Sequence, residues 1–122
     1  MKIRQIVSAL EEFAPLALQD GYDNAGMQIG LAKDVEATGA LLCLDVTEKV
    51  VDEAIHFGCN LIISHHPLLF KPLKSITGCD YVERTLIKAI KNDITIYSAH
   101  TNLDSAPGGV KYKIAENLKL GN

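Results

Sequence analysis

The sequence predicts an α/β fold in which a mostly parallel sheet is flanked by helices, and three observations support this. Short apolar runs at residues 39–45, 60–64 and 94–99 have the length and composition of buried strands. Helical patterns at residues 48–57 and 80–92 separate these runs, which gives the alternation of βαβ units. Each run also ends in polar side chains. Because strands joined by such crossovers are parallel, these polar residues should share one edge of the sheet.

The chain of 122 residues is short enough to form one domain, and its composition is that of an ordinary globular protein. Hydrophobic residues make up 48% and charged residues 22%, so neither a disordered nor a fibrous class is indicated. The net charge is −3, and lysine and arginine are scattered singly. This pattern argues against nucleic acid as a partner.

The sequence has no pattern typical of a signal peptide or a membrane span. The amphipathic N-terminal segment is broken by Glu11 and Glu12, and no apolar run approaches membrane-spanning length. Cys43, Cys59 and Cys79 are odd in number and lack C-x-x-C spacing, so we interpret them as buried, reduced thiols. We therefore expect a cytoplasmic protein with no membrane partner.

The N-terminal quarter predicts one helix followed by a segment of turns. Apolar residues at helical spacing over residues 2–14 predict an amphipathic helix that Pro15 ends. The glycine-rich segment 18–30 predicts turns and then a short strand. Within it, Asp23 and Asn24 are favoured as turn formers over ligands, since their side chains readily bond the nearby backbone.

The centre of the chain predicts a βαβ unit. Thr47 is the expected N-cap of the helix at 48–57, Gly58 can close that helix, and the strand at 60–64 follows at once. His56 lies on this helix and follows none of the predicted strands. We therefore interpret His56 as a surface or boundary residue.

The remaining segments predict a loop, a strand and a helix. Pro67 ends the second apolar run, and residues 68–74 have a second proline and no clear period, which predicts an ordered loop at the sheet edge. After the third strand, a last helix is expected at about 110–119. The preceding pair Gly108-Gly109 could present backbone N–H groups to an anion or form a simple turn.

Imidazole and carboxylate groups follow all three predicted parallel strands. The residues concerned are Asp45, His65, His66, His100 and Asp104. Ligands bind outside the carboxyl ends of parallel strands, so this edge is a candidate site. These groups suit divalent zinc, iron, manganese, cobalt or nickel. The simpler alternative is that the two adjacent histidines are a half-exposed pair in a loop and bind nothing. Two such ions would support hydrolytic chemistry.

Three motifs, in this order, resemble those of the dinuclear-metal proteins of the GTP cyclohydrolase 1 type 2 family. They are Asp23-Asn24-Ala25-Gly26-Met27-Gln28-Ile29-Gly30, Ser64-His65-His66-Pro67 and His100-Thr101-Asn102-Leu103-Asp104. The resemblance covers essentially the whole chain. It implies that His65, His66 and Asp104 bind two divalent metal ions, with Asp104 bridging them.

The resemblance is to the N-terminal part of that family alone. The family completes its site with a His and a Glu one helical turn apart in a C-terminal portion, and residues 1–122 contain no such H-x-x-x-E pattern. We therefore expect a single α/β domain that is the N-terminal part of a longer metal-binding protein. The resemblance also implies a homo-oligomer, a ring in the full-length protein.

The leading functional hypothesis is a metal-dependent hydrolase that acts on a small-molecule substrate, a purine nucleotide. A metal-activated water would attack the purine ring, while His100 or Asp45 would assist proton transfer or orient a metal ligand. Two alternatives remain open at this point. One is a non-catalytic metal-binding adaptor protein, and the other is a metallophosphoesterase, because the same ions serve phosphate chemistry.

Overall fold

The computed structural model describes residues 1–19, 21, 23–30, 35–100 and 102. Within these residues strands and helices alternate from residue 40 onward, as predicted. The elements in chain order are α1 (Ile3–Phe13), a 3-10 turn (Leu16–Leu18), β1 (Gly26–Ile29), β2 (Ala40–Cys43), α2 (Glu48–His56), β3 (Leu61–Ser64), α3 (Tyr81–Lys91) and β4 (Thr95–Ser98). The predicted helix at 110–119, the pair Gly108-Gly109 and Asp104 lie outside the described residues.

The four described strands form one sheet in the order β1-β4-β3-β2. Strands β2, β3 and β4 are parallel, and β1 joins the edge antiparallel to β4. The predicted α/β fold with a mostly parallel sheet is therefore confirmed. The register places Cys43, Ser64 and Ser98 side by side, so the three parallel strands end at the same level.

Helices α2 and α3 pack together on one face of the sheet, and α1 lies on the other. The buried cluster on the first face is made of Val46, Val51, Ala54, Ile62, Leu68, Ala89, Ile94 and Ile96. Because side chains alternate along a strand, Tyr97 points to the opposite face, where its hydroxyl donates to Glu11 of α1 over 3.3 Å. Burial and the Glu11 carboxylate raise the pKa of Tyr97, so the hydroxyl keeps its proton.

The helix ends follow local side-chain chemistry. Thr47 caps α2 as predicted, since its hydroxyl accepts a hydrogen bond from the Val50 N–H over 3.2 Å. Gly58 then ends α2 with a positive φ of 70°, a conformation that glycine adopts without strain. Asp80 caps α3 by accepting from the Glu83 N–H over 2.9 Å. None of the described helices has the length and hydrophobicity needed to cross a membrane.

The interpretation of the cysteines as buried is wrong for Cys79 and too strong for the other two. All three are free thiols, but Cys79 is exposed, and Cys43 and Cys59 are half-buried. Cys79 lies in the loop before α3, whereas Cys43 is part of β2 and Cys59 lies just before β3, which explains why Cys79 is the most exposed of the three. Burial, with the nearby carboxylates of Asp45 and Glu53, raises the pKa of the Cys43 thiol. A thiol held in its protonated form is a poor nucleophile or metal ligand.

Candidate metal centre

Three imidazoles lie together where the parallel strands end. His65 and His66 directly follow β3, and His100 follows β4 after one intervening residue. One ring nitrogen from each lies within 4.8 Å of the other two. The ring centroids are 5.1 to 5.3 Å apart, and no pair is stacked face to face. The structure thus brings together the three histidines that the sequence places at this edge.

The backbone that carries these histidines is held by the continuing parallel ladder. The His65 and His66 N–H groups donate to the carbonyls of Cys43 and Leu44, over 3.1 and 2.8 Å. Two buried hydroxyls bond the histidine carbonyls: Ser98 donates to His65 O over 3.0 Å, and Ser64 donates to His66 O over 2.9 Å. These hydrogen bonds fix the backbone conformation of His65 and His66 where the chain leaves the sheet.

A buried asparagine fixes the backbone at His100. The His100 N–H donates to Asn102 Oδ1 over 3.0 Å, and Asn102 Nδ2 donates to the carbonyl of Ala14 over 2.8 Å. Asn102 is fully buried, so both hydrogen bonds are shielded from water. This side chain ties the end of β4 to the end of α1. Its role in the site was not predicted from the sequence.

Each of the three imidazoles has its Nδ1 atom next to a hydrogen-bond acceptor. His65 Nδ1 lies 2.9 Å from the Ala99 carbonyl, and His66 Nδ1 lies 2.7 Å from Asp45 Oδ1. His100 Nδ1 lies 3.0 Å from both carboxylate oxygens of Asp23. Carbonyls and carboxylates only accept, so Nδ1 carries the proton in all three rings. This tautomer makes Nε2 the coordinating atom, which is the arrangement of metal-binding histidines.

The two carboxylate–histidine pairs differ in their exposure to water. The Asp23 side chain is 0% exposed and its partner His100 is 20% exposed. In the other pair, Asp45 is 68% exposed and His66 is 47% exposed. Water and salt screen an exposed pair far more than a buried one. Asp23 should therefore hold its histidine more firmly than Asp45 does.

The interpretation of Asp23 as a turn former describes only one of its contacts. Asp23 Oδ1 does accept a hydrogen bond from the Asn24 N–H over 2.8 Å, as in a turn. The same carboxylate also bonds His100, which lies 77 positions further along the chain. The contact arises because β1 runs antiparallel to β4 and pairs Gly26 with Ser98. Residues just before Gly26 therefore lie beside those just after Ser98.

The other predicted site residues occupy distinct positions. Asp45 contacts His66. Among the described residues the cluster of candidate ligands does not include Asp45, so Asp45 is placed to orient His66. His100, assigned to proton transfer or orientation, stands among the candidate ligands instead of beside them. Asp104 lies outside the part of the chain that the structure describes. His56 is exposed and is not part of the cluster, as expected for a surface residue.

The donor set fits a divalent metal ion. Neutral imidazoles with fixed tautomers suit zinc, iron, cobalt or nickel. Two nitrogens that share one zinc at its usual bond length lie at most about 4.2 Å apart. Nitrogens spread over as much as 4.8 Å can therefore hold one ion after a small side-chain rotation, or two neighbouring ions. The His cluster can bind metal, and its geometry leaves the number of ions open.

A hydrogen-bonded clamp joins the loop after Pro67 to β1. The Leu69 N–H donates to Gln28 Oε1 over 2.9 Å, and Gln28 Nε2 donates to the carbonyl of Asn24 over 2.7 Å. Asn24 Nδ2 completes the ring of contacts by donating to the Leu69 carbonyl over 2.7 Å. The backbone next to Asp23 is thereby fixed. Gln28 and Asn24 are thus structural neighbours of the site.

Comparisons with known proteins cover the whole chain. A family model described as Duf34/NIF3 (NGG1p interacting factor 3) matches residues 1–122. A protein of Clostridium perfringens named GTP cyclohydrolase 1 type 2 homolog is 44% identical over 118 residues, which are 97% of this chain and 45% of that protein. A protein of the same name from Staphylococcus aureus strain COL is 43% identical over 122 residues, which are 100% of this chain and 33% of that protein. The chain thus spans a third to a half of these relatives.

Solved structures show the same fold. The Bacillus cereus protein related to NIF3 superposes with a TM-score of 0.86 at 47% identity, over 97% of this chain and 32% of that chain. Reduced HcgD from Methanocaldococcus jannaschii superposes with a TM-score of 0.87 at 37% identity, over 95% of this chain and 46% of that chain. The likeness in both extends over nearly all of the chain.

Proposed function

The chain belongs to the Duf34/NIF3 family, and we propose that it forms the metal-binding part of a hydrolase that opens the ring of a purine nucleotide. The observation that carries this proposal is the set of three imidazoles, each with Nδ1 next to an acceptor and each with a ring nitrogen within 4.8 Å of the other two. The name shared by the relatives, GTP cyclohydrolase 1 type 2 homolog, supports the choice of reaction.

In this proposal His65, His66 and His100 hold the metal through Nε2. A bound divalent ion lowers the pKa of a coordinated water and so supplies a nucleophile at neutral pH. Asp23 and Asp45 keep the proton of their histidine partners on Nδ1 and fix the orientation of the rings. Asp45 Oδ1 lies next to His66 Nδ1, and because the Asp45 side chain is exposed, its Oδ2 can accept a proton from water or substrate.

We further propose that the complete site holds two divalent ions, with Asp104 as the bridging ligand. This rests on the His100-Thr101-Asn102-Leu103-Asp104 motif and on the spread of the imidazole nitrogens, which is wide enough for two ions. Zinc, iron, manganese, cobalt and nickel are all compatible with this donor set. We also propose that the protein is a cytoplasmic homo-oligomer and that the full-length protein assembles into a ring.

The proposed reaction is tested by incubating metal-loaded protein with GTP and following both the purine absorbance and inorganic phosphate. We expect the purine absorbance to fall without phosphate release, and we expect this activity to be lost in His66→Ala but kept in His56→Ala. His56 is a suitable control because it is an exposed histidine outside the cluster. Phosphate release without ring opening would instead identify a metallophosphoesterase. Neither product from a metal-loaded protein would refute the enzymatic proposal.

A metal-binding adaptor is the second candidate, and one observation favours it. The family description contains the words NGG1p interacting factor, which describe an interaction and not a reaction. In an adaptor the His cluster would stabilise a binding surface. Metal-free protein that still binds its protein partner, and metal-loaded protein that turns over no nucleotide, would together support this alternative.

A further inference from the structure

A cavity of about 270 Å³ opens beside the metal centre, on the side of α2 and α3. Its apolar lining includes Val46 and Leu68, which are 4% and 8% exposed and belong to the core cluster. Pro67 and Tyr81 also line it, and Tyr81 is 58% exposed. A large aromatic ring presented to solvent next to a cavity is a surface on which a flat, unsaturated ring can stack.

Besides the His66 imidazole, the polar side chains that line this cavity among the described residues are the Asp45 carboxylate and the hydroxyl residues Thr47 and Tyr81. Asp45 uses Oδ1 for His66, and among the described residues no donor is bonded to its Oδ2. The Thr47 hydroxyl oxygen accepts from the Val50 N–H, so its hydrogen can be donated to a ligand. Among the described residues, no lysine or arginine lines the cavity. A negatively charged phosphate inside the cavity would therefore meet the Asp45 carboxylate, and the cation nearest to it would be a metal ion held by His66 at the edge of the cavity.

We propose that this cavity binds a neutral, unsaturated nitrogen heterocycle, with its ring against Tyr81 and an N–H group donating to Asp45 Oδ2. The cavity lies just below the usual size range of small-molecule pockets, about 300–1,000 Å³, so it fits one base better than a whole nucleotide. His66 lines the same cavity, which places the bound ring beside the metal centre. The identity of the heterocycle as a purine rests on the proposed function, in which the substrate is a purine nucleotide. The cavity would then hold the base of that nucleotide.

The proposal is tested by calorimetric titration of the metal-loaded protein with guanosine and, separately, with inorganic phosphate. Tyr81→Ala should weaken guanosine binding about tenfold, as expected for the loss of one aromatic stacking partner, while Tyr81→Phe should bind as the wild type does. Phe57→Ala is the matched control, because Phe57 is an aromatic residue, 68% exposed, that does not line the cavity. Phosphate should not compete with guanosine.

Tyr81→Ala should fold, because the contacts that begin α3 do not use the tyrosine ring. The cap is made by Asp80, and Thr85 Oγ1 donates to the Tyr81 backbone carbonyl over 2.6 Å. Circular dichroism and metal content, equal to the wild type in both Tyr81 variants, would verify this. Equal guanosine affinity in Tyr81→Ala and Phe57→Ala, or competition by phosphate, would overturn the proposal. Because binding is measured without turnover, Tyr81-dependent binding would stand even if ring opening were never observed.

Discussion

Replacing His100 with alanine is expected to remove most of the metal that the protein binds. His100 has a ring nitrogen within 4.8 Å of those of His65 and His66, and Asp23 fixes its tautomer for coordination through Nε2. Loss of a direct ligand should weaken binding by more than the roughly 10–100-fold that loss of an orienting partner costs. Metal content after dialysis against a weak chelator, measured by elemental analysis, would check this.

The control for this experiment is His56→Ala, which removes an exposed imidazole from α2 without touching the cluster. We expect its metal content to equal that of the wild type. If His100→Ala also retained full metal, His100 would not be a ligand. The role in proton transfer or orientation that the sequence indicates for His100 would then be the better description.

Replacing Asp23 with alanine is the second large effect that we expect, with metal affinity falling about 10–100-fold. The Asp23 side chain is 0% exposed and both of its oxygens lie 3.0 Å from His100 Nδ1. Without this carboxylate the imidazole loses the partner that fixes its orientation and its proton. The affinity can be measured by competition with a chromophoric zinc chelator.

Asp45→Ala provides the matched comparison, because Asp45 makes the same kind of contact with His66 but is 68% exposed. Water can replace an exposed carboxylate, so Asp45→Ala should reduce the affinity less than Asp23→Ala does. Equal losses in the two variants would contradict the claim that burial sets the strength of these contacts. Thermal unfolding of the metal-free proteins would separate a loss of affinity from a loss of fold.

The helices and the location of the site were predictable because they depend on local pattern. Apolar periodicity gives the three predicted helices that fall within the described residues to within one residue of their observed ends, from Ile3–Phe13 to Tyr81–Lys91. The strands are shorter than predicted by up to two residues at an end, since the apolar composition that predicts a strand extends beyond its regular part. The parallel strands place His65, His66 and His100 at one edge, as the βαβ pattern requires.

The contacts that orient the histidines were less accessible to sequence reasoning. The pairing of Asp23 with His100 depends on an antiparallel β1 beside β4, and the sequence indicated a short strand there without its partner or direction. In the sequence Asn102 resembles an ordinary loop residue, and its hydrogen bond to the end of α1 is visible only in the folded structure. Such contacts join residues far apart in sequence, so no local period or spacing reveals them.

The central claim is that the imidazoles at the carboxyl ends of β3 and β4 coordinate metal through nitrogen. X-ray absorption spectroscopy of the zinc-loaded protein tests this most directly, because imidazole rings produce characteristic outer-shell scattering. We predict nitrogen and oxygen neighbours at about 2.0–2.1 Å with imidazole scattering that weakens in His100→Ala. A first shell containing sulfur, or one with no imidazole scattering, would contradict the claim.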